Sequence, residues 1–341
     1  MNLGDRMKKI ATKIIEYIKE EFFTILFFVV LYFILQIPVN YYIITGGGTS
    51  DVSSRISVEN KYESKGTFNI SYVTELPGTV ISYLLSYVVP SWDRESVELY
   101  KYTTTESIDD IEFRNNLDLE SANSVATYWA YTLAEKEIEK TDTKIYVIMT
   151  SEKYPNPLKI KDEIIKINDI SYDNIEQYKE YLQTQEDEVM VTVLRNGKEI
   201  ELKTKLYAEK DQKVMGVGLE RIDLYHTNPE VKIKFRSSES GPSGGLISAL
   251  EIYNQLTEED LTKGLKITGT GTIELDGTIG TIGGVEHKLL GAEASNTDYF
   301  LVPSGENYKA AKKYKKEKKL KTKLIEVKSL EDAIAKLEEL Q

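Results

Sequence analysis

The chain has 341 residues, 41% hydrophobic and 29% charged, with 43 Lys+Arg against 55 Asp+Glu and a net charge of −12. That length holds two or three domains, and the apolar fraction supports packed cores rather than a disordered chain. The acidity excludes a general nucleic-acid binder, and the lack of cysteine excludes disulfides, zinc–thiolate sites and cysteine nucleophiles. His226 and His287 are the only histidines, and neither HExxH nor GxxxxGKS/T occurs, so no metal, organic cofactor or ATP site is expected.

Residues 1–21 carry Arg6, Lys8, Lys9, Lys13 and Lys19, and residues 22–39, FFTILFFVVLYFILQIPV, follow without a charge. About 20 apolar residues span a bilayer's hydrocarbon core, and roughly 17 is near the lower limit. Tyr41 and Tyr42 stand where interfacial aromatics belong. A buried core helix of this length usually shows a polar face, which this run lacks. It also exceeds the apolar region of a signal peptide, about 7–15 residues. The run therefore predicts an uncleaved transmembrane helix over 22–39. Arg55 is the only basic residue across 40–60, so the positive-inside rule puts the N-terminal segment 1–21 in the cytoplasm. The rest is then extracytoplasmic, held at the plasma membrane by a single pass.

Gly46, Gly47 and Gly48 with Thr49 and Ser50 read as a linker opening an α/β region over 45–141. Strands are predicted within 56–75 and a helix over 122–139. The aromatics of 86–104 fit either a core or a membrane-proximal surface. From 142 to 207 the order is strand, acidic turn, strand, short helix at 174–183 and a hairpin turned at Asn196 and Gly197.

Two pieces carry the chemistry. Gly241-Pro242-Ser243-Gly244-Gly245 precedes the apolar run LISALEIYNQL, which suggests a hydroxyl exposed at a helix N-terminus, with backbone N–H groups near Gly241, Pro242 and Ser243 as the candidate oxyanion hole. A structural glycine-rich turn is the simpler reading of those five residues alone. Further on, Thr270-Gly271-Thr272-Ile273 and Ile282-Gly283-Gly284 lead into a helix with Val285, Leu289 and Ala292 on one stripe and Lys288 at its border. A lysine on an apolar face loses hydration of its charged form, which lowers its pKa, and a neutral lysine can take a proton from serine. The plain alternative is a snorkelling surface lysine. His287 points about 100° away from Lys288, and His226 sits in the turn-like LYHTNPE, so a Ser–His–Asp triad is disfavoured. Asp276-Gly277 reads as a hairpin turn, and the nine lysines of 309–323 as a solvated helix face, with attraction to anionic polymers or lipid as the functional alternative.

Residues 142–207 resemble a PDZ domain, best at 158–168 and 191–195, with Lys161 where that family has glycine. GPS-x-G at Ser243, T-G-x-I at Thr270 and I-G-G-x-x-x-K at Lys288 together resemble the Lon-type proteolytic domain, over 210–341. The departures are Gly244 where alanine is usual, Ser240 where Lon has aspartate, and Thr272 in place of glutamate. The whole order is similar to the membrane-anchored PDZ/Lon-like proteases of Gram-positive bacteria.

That resemblance implies an α+β multidomain fold: an N-terminal transmembrane helix, a PDZ-like β-rich domain and a Lon-protease-like α/β domain. It implies an ATP-independent serine endopeptidase with a Ser243–Lys288 dyad and Thr270 orienting the lysine, acting on extracytoplasmic peptides or flexible protein segments. The alternative is an anchored, non-catalytic peptide-binding scaffold. The PDZ-like part either binds peptides by strand addition or serves only as a spacer.

Overall fold

The computed structural model describes residues 3–340; residues 1, 2 and 341, at the ends of the expected 1–21 and 210–341 segments, lie outside the described residues. The chain divides into two units. One comprises residues up to 45 together with 74–99, and the other 46–73 together with the chain from Tyr100 onward.

In the first unit the apolar run does not form one long helix. α1 (Leu3–Glu20) ends before Glu21, and α2 (Phe22–Leu35) has only 14 residues, none of them buried. At 1.5 Å per residue α2 is about 21 Å long, short of the roughly 30 Å of a hydrocarbon core. After Gln36 and Ile37 the run ends in the strand Pro38–Thr45, which pairs antiparallel with Thr74–Thr79 and Asp93–Ser96. Among the described residues no helix is long and apolar enough to cross a membrane. The expected transmembrane helix over 22–39 is thus overturned, and with it the single-pass plasma-membrane placement. The described residues form a mixed α/β fold. α3 (Val80–Leu85) starts at a Thr79–Ser82 capping box. The aromatics of the 86–104 stretch are in part surface groups here: Tyr87 is exposed and lies 3.8 Å beneath the Arg94 guanidinium.

In the second unit, α4 (Ile108–Leu133) opens at a Ser107–Asp110 capping box, with Asp109 and Asp110 in its positive first turn. Strands Lys198–Lys205, Glu188–Arg195, Glu163–Ile167, Glu137–Thr150 and Val217–Asn228 form, in that order, an antiparallel sheet. Their inward residues Val147, Ile164, Val191 and Val193 pack with Tyr178 and Leu182 of α5 (Ile175–Thr184). Asn196 and Gly197 have φ of 52° and 74°, the conformation a two-residue hairpin turn needs. Lys161 takes φ 81°, a conformation suited to glycine. It is held there because its amide donates to Val147 O at 3.0 Å, while Asp162 receives Arg195 at 2.6 and 2.7 Å. α4 is tied to the long strand Val217–Asn228 by the Ser124 hydroxyl, which donates to Asp223 O at 2.6 Å.

The second sheet runs in the order Lys323–Val327, Tyr299–Pro303, Lys266–Gly269, Thr67–Ser71 and Thr49–Asp51, all parallel except the last. Two of its strands therefore come from residues 49–71. Parallel strands need cover on both faces. α6 (Gly245–Leu256), α7 (Val285–Ala294), α8 (Glu306–Lys318) and α9 (Leu330–Glu338) supply it. Leu301 and Phe68 pack with Leu246, Leu250 and Leu330, whereas Phe300 and Val302 pack with Val285, Leu289 and Ala311. This alternation is the period-two pattern of a strand covered on both sides. Of the nine lysines in 309–323, all but Lys315 are exposed, which is the solvated-face reading.

Candidate active site

The loop before α6 is shaped by its sequence. Gly241 has φ 84°, a left-handed conformation open to glycine, and no atom crowds the space a Cβ would occupy there. Its amide donates to Asn115 O on α4 at 2.8 Å. Pro242 has no amide hydrogen, and its carbonyl accepts from Gly245 N at 3.1 Å, which closes the turn into α6. Gly244 is the N-cap residue of α6 and meets Ile70, so a side chain at 244 would collide with it at 2.8 Å. Among the described residues, the amides of Ser243 and Gly244 have no hydrogen-bond acceptor. In this loop the Gly241 amide is engaged and Pro242 has no N–H, so the backbone donors left open are the amides of Ser243 and Gly244.

Thr270 directly follows the strand Lys266–Gly269 and is fully buried. Its hydroxyl donates to Ser243 O at 3.1 Å, and the neighbouring Gly271 amide donates to the same oxygen at 2.8 Å. Lys288 lies on α7, which begins after Gly284 in a left-handed conformation, φ 64°. Val285, Leu289 and Ala292 are buried against the sheet. Lys288, 4% exposed, reaches Nζ to 2.9 Å from Ser243 Oγ and 3.0 Å from Thr270 Oγ1. It is not a snorkelling lysine. Ser243, Thr270 and Lys288, far apart in sequence, are thus brought together at Nζ.

The histidines sit differently. His226 is on an exposed position of the strand Val217–Asn228 opposite Glu139, not in a turn, and His287 is half-buried on α7. Asp276 and Gly277 turn the short hairpin of Thr272–Ile273 and Ile279–Gly280, and Gly277 has φ 81°. Asn115 is the contributor that sequence patterns do not reveal, because it acts through its backbone carbonyl and no side-chain type marks it.

Further along α6, Glu251 is buried, and desolvation pushes its carboxyl up to about 7 even though a hydrogen bond from Gln255 opposes the shift. Gln255 donates to Glu251 Oε1 at 2.6 Å and also bonds Val58 N and Ile56 O, so it locks α6 to the strand Ile56–Val58.

Residues 223–339 match the family model of the Lon protease (S16) C-terminal proteolytic domain. The Lon protease of Aster yellows witches'-broom phytoplasma (strain AYWB) is 31% identical over 99 residues, which is 29% of this chain and 12% of that protein. This chain therefore spans only a small part of that relative's length. Among solved structures, the PDZ domain of an SdrC-like protein from Listeria monocytogenes aligns at 21% identity, covering 24% of this chain and 92% of that one, with a TM-score of 0.22. The matched segment contains both Ser243 and Lys288, so the part of the chain at residues 223–339 is similar to the Lon (S16) proteolytic domain.

Proposed function

We propose that this chain is a serine endopeptidase in which Ser243 and Lys288 form a Ser–Lys dyad. The observation that carries this reading is the 2.9 Å approach of Lys288 Nζ to Ser243 Oγ in a buried setting; the Lon-type domain supports the coarser assignment to serine peptidases. Burial disfavours a charged amine, so a neutral Lys288 can act as base. It takes the Ser243 proton as Oγ attacks the scissile carbonyl carbon. Charge then develops on the carbonyl oxygen, where the Ser243 and Gly244 amides at the start of α6 stabilise it. Lys288 returns the proton to the leaving amine, and water, deprotonated by the same residue, hydrolyses the acyl-enzyme. Thr270 Oγ1, 3.0 Å from Nζ, keeps the amine aimed at the serine.

No step in this chemistry draws on ATP, and we infer an ATP-independent enzyme that takes peptides or flexible segments. In this reading the proteolytic domain is assembled from residues 46–73, α4 and the chain beyond Asn228, with the antiparallel sheet inserted within it as a PDZ-like module. Mass spectrometry of labelled casein incubated with the full chain and with Ser243→Ala tests the proposal. Products present with the first and absent with the second support it. Products from neither favour the inert scaffold, and products from both place the nucleophile elsewhere.

A further inference from the structure

The strand Thr67–Ser71 lies outside the segment matched to the Lon family, yet its last residue touches the lysine helix. Ser71 is fully buried, and its hydroxyl donates to Lys288 O at 2.7 Å. A carbonyl oxygen has two lone pairs, so it can serve the helix ladder and Ser71 together. One turn further along the same face of α7, Gly291 abuts the backbone of Gly47 and Gly48, where a Cβ would come within 3.2 Å of Gly48 Cα. Gly48 O in turn accepts from Tyr72 N at 3.1 Å, which ties the glycine loop to the end of the strand. Residues 46–72 thus grip α7 at positions 288 and 291, three apart and therefore on one face.

Resting on the dyad reading above, we propose that Ser71 is a positioning residue for Lys288. It does not touch the reacting atoms. It fixes the height of α7 against the sheet, and thereby the separation of Nζ from Ser243 Oγ. Movement of about 1 Å at such a contact lowers rates by up to two orders of magnitude without weakening binding. The Ser71 grip also explains how a base on α7 keeps its aim at a serine on the loop before α6.

The test measures kcat and KM for cleavage of fluorescein-labelled casein by the full chain carrying Ser71→Ala, Ser71→Thr or Ser243→Ala, with a thermal melt of each. Ser71→Ala lowers kcat roughly tenfold with KM unchanged, and Ser71→Thr, which keeps the hydroxyl, recovers most of that loss. If Ser71→Ala does not fold, Ser71→Cys, similar in volume and a weak donor, takes its place with the same expectation. Wild-type kcat in the hydroxyl-less variant overturns the proposal, as does a loss that follows only the folded fraction. Activity retained by Ser243→Ala would instead overturn the dyad reading, so the two failures are distinguishable.

Discussion

The Gly241 amide donates to the carbonyl oxygen of Asn115 at 2.8 Å, so a helix far upstream in the chain pins the loop that presents Ser243. α4 also bonds the strand Val217–Asn228 through Ser124 and Asp223, and Ala122 packs close to Gly245 at the start of α6. It is a strut between the antiparallel sheet and the loop that carries Ser243.

Gly241→Ala tests this pinning. The space for a methyl is open, but φ 84° disfavours any Cβ. The backbone penalty is about 1–2 kcal/mol, and the loop can relieve it only by letting go of Asn115. The expected outcome is a thermal midpoint lowered by a few degrees and a kcat reduced at least tenfold, read by calorimetry and casein cleavage.

The buried pair of Arg114 and Glu106 anchors the start of α4. Their side chains are 5% and 0% exposed with a 3.1 Å contact, and Arg114 also donates to Tyr100 O. Removing the carboxylate leaves a buried cation without its partner. Glu106→Ala is expected to destabilise by about 3–5 kcal/mol in urea titrations. A change under 1 kcal/mol would mean that solvent reaches the guanidinium.

Glu251 makes stability depend on pH. Its folded carboxyl is raised from 4.5 to about 7, chiefly by burial, so the folded state holds a proton that the unfolded chain has lost across that interval. The contribution is fully present below about pH 4.5 and is lost as pH rises through 7; the shift corresponds to roughly 3 kcal/mol at most. Glu251→Gln keeps an acceptor for Gln255. It is expected to flatten the curve between pH 4.5 and 7 and to melt higher than the parent at pH 8. Parallel pH curves for the two proteins would refute the assignment.

Residues 210–341 expressed alone lack the strands Thr49–Asp51 and Thr67–Ser71 and the helix α4. Phe68, Ala126, Ala130 and Tyr131, all fully buried in the main core, go with them. The fragment is expected to show no cooperative melt and no cleavage, whereas residues 46–341 retain both.

The sequence is most readable where the determinants are local. The Ser243, Thr270 and Lys288 motifs stand in sequence order, and the structure brings the Lys288 amine to 2.9 Å from the Ser243 hydroxyl and 3.0 Å from the Thr270 hydroxyl. Asn196-Gly197 marks its hairpin for the same reason: a two-residue turn has a narrow chemical requirement. Long-range pairings are not readable this way. Nothing in residues 49–71 signals that they join strands beyond residue 265, and a backbone acceptor such as Asn115 O leaves no residue-type signature. The run 22–39 misleads because hydropathy counts apolar residues without registering that the helix begins after Glu21 and that Pro38–Thr45 pairs as a strand. Gly241 and Pro242 look suited to an oxyanion hole by proximity alone, until the donor of one is seen to be engaged and the other has none.

The dyad itself is tested most directly by a double-mutant cycle on kcat/KM for casein, using Ser243→Ala, Lys288→Ala and the pair together, with each variant shown to be folded. Residues that act as one unit lose their effect together. Each single substitution is expected to lower kcat/KM by roughly a thousandfold or more, and the double variant to be no worse than either. Independent, multiplying losses, or a Lys288→Ala protein that cleaves at near the parent rate, would contradict it.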